Sequence, residues 1–587
     1  MNLRIFTCSV FLILVNACAQ QETVPNESET LADLFDRERA IYYIENPGTG
    51  PSTEPRPVPA RMATVSPTDQ QRRIDQDQAF LNELNAINKA ALSLDAQLNH
   101  DLFRFMLNSR LTMAKHRTWR MPILSDSGFH TRPAISNRSI AFFNTGDYET
   151  YLLALNDIPR YLDENIKNMR LGMAENFTMP KVVLDGLLPS FKSLATKTGD
   201  ESDYYRPYAN MIESIPETQR IDLQARAIAI INDVVIPAYT RLNDFMVNEY
   251  YPAARESLGS SEGDGGLPYY EDMVKYYTTT DLTSGDVHEI GLSEVARIRG
   301  EMEEVLKQVE FDGTLKEFFD FMRTDPQFYA KTPEELLMIA SRIAKKIDGR
   351  LPMLFGKLPR QPYSVQPVPA TLAPNYTTGR YSGAPLKALR GGEYWVNTYA
   401  LDKRPLYNLP ALTLHEAVPG HHLQSALSKE RENIPEFRLT LYPHSFGEGW
   451  GLYSEKLGLD IGLYETPYEH FGRLTYEMWR AGRLVIDTGI HAKGWTRDQA
   501  IALFEENSAL SSLNIRTEVD RYISWPGQAL AYKIGELKFV ELRKRAQDTL
   551  GDNFDLRTLH DEFMAEGGLP LYILEAQINQ WINELAE

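Results

Sequence analysis

His415, Glu416, His421 and His422 lie within one short apolar stretch, YNLPALTLHEAVPGHHLQSAL. Six of the chain's 11 histidines fall between residues 415 and 491, which concentrates ligand-type side chains in this region. Imidazole nitrogens bind zinc, and a carboxylate directly after the first histidine can take a proton from a water that the metal acidifies. Two such histidines usually stand four residues apart, on one helical face. Here His421 follows His415 by six residues, about 240° around an ideal helix. His422 returns to the first face, but roughly 10 Å along the axis, too far for one ion with bonds of about 2 Å. Pro419 and Gly420 offer a way out. Proline removes a helical hydrogen bond, and glycine tolerates the dihedrals of a bulge. Read as a two-residue insertion, they carry His421 into the second ligand's place. His422 then becomes its neighbour, and it stays the alternative ligand.

One zinc ion needs a third protein ligand and an open position. The next helical segment, HSFGEGWGLYSEKLG, carries Glu448 and Glu455 on nearly one face. Glu448, set among glycines that permit close approach, is the candidate ligand. Glu455 is expected to orient a ligand histidine or to form a salt bridge. His444 and His491 are further ligand candidates. Arg480, Arg483 and Arg521 could grip a substrate's terminal carboxylate, because a guanidinium binds it through two parallel hydrogen bonds. Structural salt bridges compete for each of them, and Asp487 stands four residues after Arg483 as a helical partner.

The elements that must position these groups are mostly helical. The chain has 587 residues, 43% of them hydrophobic, enough for a large buried core. Apolar residues recur at three- and four-residue spacing through RIDQDQAFLNELNAINKAALSLDAQLNHDLFRFMLNSRL (73–111), EIGLSEVARIRGEMEEVLKQV and TPEELLMIASRIAKKIDGRL. No internal repeat is evident. One large mainly α body is expected, with the active site in a channel between helices. SLGSSEGDGGLP (257–268) reads as a flexible hinge or rim. Between 359 and 410 the composition turns to Pro, Tyr and Thr, and GGEYWVNTYAL reads as a strand. A small sheet beside the zinc-site helix follows, and its edge could hold an extended peptide.

The formal charge is −19, from 80 acidic against 61 basic residues, and no basic stripe interrupts it, which excludes nucleic-acid binding. The N-terminus, MNLRIFTCSVFLILVNACAQQ, has a basic residue, a short apolar run and small residues before Cys18, the layout of a secretory signal. Val-Asn-Ala-Cys resembles the lipobox of bacterial lipoproteins, which implies a signal peptide over 1–17 and acylation of Cys18. Residues 18–29 read as a polar tether, and 30–587 as the catalytic domain. Cys8 would leave with the signal, so no internal disulfide and no cysteine nucleophile are expected. Ala19 resembles the sorting pattern for the outer membrane of Gram-negative bacteria, and so implies an acyl anchor facing the periplasm.

HEAVPGHHLQ, EGWGLYSE, RLVIDTGIHAKGW and RYISWPGQALAYKIG together resemble a bacterial family long labelled only as a domain of unknown function. That family looks like a branch of the helical gluzincin metallopeptidases, which include thermostable carboxypeptidases and angiotensin-converting enzyme. The resemblance implies His415, His421 and Glu448 as zinc ligands and Glu416 as general base. It implies a tyrosine for the oxyanion: Arg521-Tyr522 resembles the pair that opens a late helix there, with Tyr532 the alternative. The expected activity is zinc-dependent hydrolysis of short peptides, as a carboxypeptidase or dipeptidyl carboxypeptidase. Arg521 and Arg480 are then the expected substrate-binding residues. A cell-wall peptide amidase, or a non-catalytic zinc-containing surface lipoprotein, are the competing expectations.

Overall fold

The computed structural model describes residues 26–137, 140–370 and 373–587. It is 69% helical with one three-stranded sheet, the mainly α architecture that the periodicity predicts. No helix among the described residues is long and apolar enough to cross a membrane. The signal segment, Cys18 and the tether up to residue 25 lie outside the described residues.

The chain opens with α1 (Glu27–Glu45), α2 (Pro67–Ala86) and α3 (Leu94–Lys115), and α4 (Ser284–Gln308) follows later. α1 begins inside the stretch expected to be a tether. Asn26 accepts from the Glu29 N–H while the Glu29 carboxylate accepts from the Asn26 N–H, a capping box that starts the helix. The helical window at 73–111 is broken between Ile87 and Ser93, where Ser93 caps α3 by accepting from Ala96. Nor is 257–268 a free loop. Ser260 is buried with its N–H donating to His491 Nδ1 at 3.0 Å, and Arg255 donates to the carbonyls of Ser257 and Gly259.

The sheet has the order β1 (Tyr363–Pro367), β3 (Gly392–Val396), β2 (Gly379–Ser382), with β1 parallel and β2 antiparallel to β3. Gly392, Tyr394 and Val396 of β3 are buried and alternate with more exposed residues, the two-residue period of a half-buried strand. Tyr394 and Val396 pack with Leu409, Ala411 and Leu412 of α5 (Leu409–Glu416). The sheet therefore lies directly on the first metal-motif helix, with β2 as an edge strand.

Then come α6 (His421–Lys429), α7 (His444–Asp460), α8 (Pro467–Lys493), α9 (Ser512–Ser524) and α10 (Ala531–Leu550). α8 is the axis of the molecule, because its side chains enter four separate apolar cores, for example through Leu474, Tyr476, Leu484 and Ile490. A helix buried on all sides is normally uncharged. α8 nevertheless buries Arg473, Glu477, Arg480, Arg483 and Asp487. Glu477 meets Arg473 at 2.6 Å, Lys533 of α10 at 2.8 Å, and Arg297 of α4. An unpaired charge there would cost several kcal/mol, so the pairs fix the rotation of α8 against α4 and α10.

α7 and α10 cross where glycines face each other. A methyl group on Gly535 would lie 1.8 Å from the Ser445 carbonyl oxygen, and one on Gly449 2.5 Å from the Gly535 backbone. Gly535→Ala is expected to destabilise the protein by about 1–3 kcal/mol through overpacking. Thermal unfolding checks this, and an unchanged midpoint would disprove so close a crossing.

Candidate metal centre

α5 ends at Glu416 and α6 begins at His421, so the helix breaks at the proline and glycine, as the spacing requires. Two long-reach bonds bridge the break: the Gly420 N–H donates to the Leu414 carbonyl at 2.9 Å and the His422 N–H to that of Ala417 at 3.0 Å. Regular pairing resumes with Gln424 N–H to Gly420. A side chain at 420 would collide with the His415 carbonyl, its Cβ only 1.9 Å away, so only glycine allows this turn. Trp450 of α7, fully buried, donates its indole N–H to the Pro419 carbonyl at 2.8 Å and holds the turn from behind.

The break turns His421 toward His415, with ring centroids 4.8 Å apart and planes at 87°. Glu448 of α7 completes the group. Its Oε2 lies 3.8 Å from His415 Nε2 and 3.5 Å from His421 Nε2, and the three donor atoms all lie within 4.8 Å of one another. Tetrahedral ligands at about 2.1 Å from one ion stand about 3.4 Å apart. Two imidazoles and a carboxylate at these separations fit a zinc-sized cation with small adjustment.

His415 is oriented by its other nitrogen. Nδ1 donates to Glu455 Oε1 at 2.8 Å, which leaves Nε2 as the nitrogen that faces Glu448. Gly451 makes room for the ring, because a methyl group there would lie 2.7 Å from His415 Cε1. Burial works against charge on His415, but Glu448, Glu455 and Glu416 outweigh it and raise its pKa to about 9. Burial likewise opposes a charged Glu448, yet the two imidazoles hold it well below the usual carboxylate range. Imidazole and carboxylate thus hold each other in their charged forms.

The choice between His421 and His422 follows from hydrogen bonding. His422 Nε2 donates to the Gln361 carbonyl at 3.0 Å, and Nδ1 accepts from the Tyr381 hydroxyl at 3.2 Å. Both nitrogens are used, and burial lowers its pKa to about 4. His491 is similarly occupied: Nδ1 accepts from the Ser260 N–H and Nε2 donates to the Tyr522 carbonyl. Burial keeps it neutral, with a pKa of about 3. His444, one helical turn before Glu448, stands outside the cluster among the rings of Tyr276, Tyr277, Tyr442 and Trp525.

Glu416 lies beside the cluster, and its Oε2 accepts from the Tyr381 N–H of β2 at 2.7 Å. Four expected roles need correction. Tyr522 is fully buried and its hydroxyl is saturated, accepting from Trp479 and Arg483 and donating to Glu518 at 2.8 Å, so it has no hydrogen to give an oxyanion. Arg480 is 5% exposed and pairs with Glu455 at 3.3 Å, so it supports His415 from behind rather than facing a substrate. Arg521 is tied to Glu518 at 3.2 Å and to Gln528 at 2.7 Å. Arg483 also pairs with Glu518, not with Asp487, which accepts instead from the Tyr270 hydroxyl and the Gly527 N–H. Tyr532, the alternative tyrosine, is only partly buried and stacks on the Arg483 guanidinium at 4.3 Å.

Trp450, Gly451, Tyr442 and Arg380 were not singled out from sequence. EGWG was the available signal for the first two, because glycines on either side of a bulky residue let a helix come close to its neighbours. Tyr442, whose hydroxyl is 3.5 Å from Glu448 Oε1, comes from a connecting segment, and Arg380 from the four-residue strand β2, too short to show a periodic pattern.

These features define a mainly helical protein with a His-His-Glu cluster preformed across a helix break. The chain belongs to the bacterial family DUF885, described as of unknown function, whose pattern matches residues 52–578. It is similar to a "putative lipoprotein" from Colwellia psychrerythraea at 27% identity and TM-score 0.87, over 96% of this chain and 100% of that one. A second such protein, of unknown function, from Shewanella oneidensis shares 16% identity at TM-score 0.71 over 95% of this chain and 100% of its own, a likeness of fold. No curated protein matches.

His421→Ala is expected to lose the bound metal and His422→Ala to retain it, while Glu455→Ala weakens metal affinity about 10- to 100-fold. Competition against a graded chelator measures all three. Retention of full affinity by His421→Ala would overturn the ligand set.

Proposed function

We propose that the chain is a zinc-dependent peptidase of gluzincin type, acting on short peptides as a carboxypeptidase or dipeptidyl carboxypeptidase. The observation that carries this reading is Glu416. It adjoins the ligand set and is held through one oxygen by a single backbone N–H. A purely structural metal site has no use for a carboxylate in that position.

Bound by His415, His421 and Glu448, a zinc ion would polarise the scissile carbonyl and acidify a water. Glu416 would take that water's proton and pass it to the leaving amine. Tyr532, steadied by the Arg483 guanidinium beneath its ring, would donate a hydrogen bond to the developing oxyanion in place of the saturated Tyr522. β2, an edge strand whose Tyr381 N–H already holds Glu416, would flank an extended substrate there. A site reached between helices would favour short peptides over folded proteins.

For localisation, the Val-Asn-Ala-Cys string and the lipoprotein description of both similar structures support an acyl-anchored protein of the cell envelope, and Ala19 is the ground for proposing the outer membrane, facing the periplasm. Cys18→Ala should shift the protein from the membrane fraction to the soluble fraction. Unchanged membrane association would refute acylation at Cys18.

Glu416→Gln is expected to keep stoichiometric zinc by elemental analysis and to lose hydrolysis of a peptide library read by mass spectrometry. Tyr532→Phe should lower kcat by about 10²–10³, the usual effect of losing one oxyanion donor. Chelator should abolish every cut. Wild-type turnover by Glu416→Gln would end the mechanism, and zinc binding without any hydrolysis would favour a non-catalytic lipoprotein.

A further inference from the structure

The four arginines that bear on the site are not equivalent. Arg480 is paired with Glu455, and Arg483 and Arg521 share Glu518. Arg380 on β2 is exposed, and among the described residues no carboxylate lies within ion-pair distance of it. Its strand register sets it opposite Trp395, whose ring contacts Tyr376 at 6.1 Å. Tyr376 is the phenol beside the guanidinium, and Glu416 and Tyr532 lie within reach of its charge. The adjacent residue, Tyr381, supplies the N–H that holds Glu416 at 2.7 Å. A guanidinium that hydrogen-bonds a phenol but pairs with no carboxylate is thus rooted one residue from the contact that fixes the proposed base.

The surroundings sharpen the contrast. The site gathers Glu416, Glu448 and Glu455 in a chain of formal charge −19, so an anionic substrate needs a specific cation to approach. We infer that Arg380 is the anion-reading residue of the site, and that the preferred substrates carry a carboxylate within a residue or two of the scissile amide. An extended chain of two residues spans roughly 7 Å, comparable to the reach of one arginine side chain. The fork of the guanidinium suits a carboxylate through two parallel hydrogen bonds, and the walls of Tyr376 and Trp395 limit the directions in which it can turn. The carboxylate can be a peptide's C-terminus or an acidic side chain. This inference rests on the peptidase reading for its location, so its test separates binding from hydrolysis.

The test uses the full-length, zinc-loaded protein and three N-blocked tripeptides: a free C-terminal acid, its C-terminal amide, and an amide ending in aspartate. Binding is measured by calorimetry in the Glu416→Gln background, where turnover cannot interfere. A carboxylate-bearing peptide should bind about 10- to 100-fold tighter than the neutral amide, the usual scale for charge-assisted hydrogen bonds. Adding Arg380→Gln should erase that difference while leaving the neutral amide's affinity and the zinc content unchanged. Arg380→Lys should keep part of it, since charge remains and the fork is lost. Preference for the free acid identifies the C-terminus as the source, and preference for the aspartyl amide identifies a side chain. Equal binding of all three peptides, or a preference that survives Arg380→Gln, overturns the inference. Tight, Arg380-dependent binding without hydrolysis by the protein carrying Glu416 would instead sink the peptidase reading and leave the anion site standing.

Discussion

The seating of α7 against α5 is the contact on which the rest of the site depends. One helix delivers Glu448 toward the imidazoles, Trp450 to the turn carbonyl, Gly451 as space for the His415 ring, and Glu455 to its far nitrogen. All four act on residues 415–421. The helix break would be a floppy interruption without them, because Pro419 and Gly420 together leave backbone groups that the helix no longer pairs. α7 turns that liability into fixed geometry. The small residues along α7 are what allow it to come so near, toward α5 on one side and toward α10 on the other.

Behind this contact stands the central helix α8 with its buried charges. Arg480 meets the Glu455 that holds His415, so the orientation of the buried His415 imidazole is anchored in the middle of the protein. Glu477, Arg473, Lys533 and Arg297 form a second charged knot that ties α8 to α10 and α4. Buried ion pairs contribute little net stability once desolvation is counted. Their effect here is directional, since any rotation of α8 would strand a charge in an apolar core.

Much of this was legible in the sequence where the signal was local. His415 and Glu416 announce themselves by adjacency, the break by Pro-Gly, and Glu448 and Glu455 by their shared helical face; the strand near residue 394 shows its two-residue period. What could not be read depends on partners distant in sequence. The role of His422 is set by Gln361 and Tyr381, and that of His491 by Ser260. Tyr522 and Tyr532 differ only in what surrounds them: one hydroxyl is enclosed by Trp479, Arg483 and Glu518, while the other ring is partly open. Local polarity misled at residues 27–29, where side chains read as solvated tether are the cap of a helix. Glycine content misled at 257–268, whose backbone packs on α8.

The break between α5 and α6 has a mechanical consequence. In an uninterrupted helix, two ligand histidines ride on a single rod, and an ion between them joins nothing that was not already joined. Here His415 belongs to one rod and His421 opens another, with a four-residue elbow between. An ion gripped by both, and by Glu448 on a third, works as a rivet through three separate struts. Loading the site would therefore stiffen the scaffold as well as complete the site, and the two properties would be acquired together.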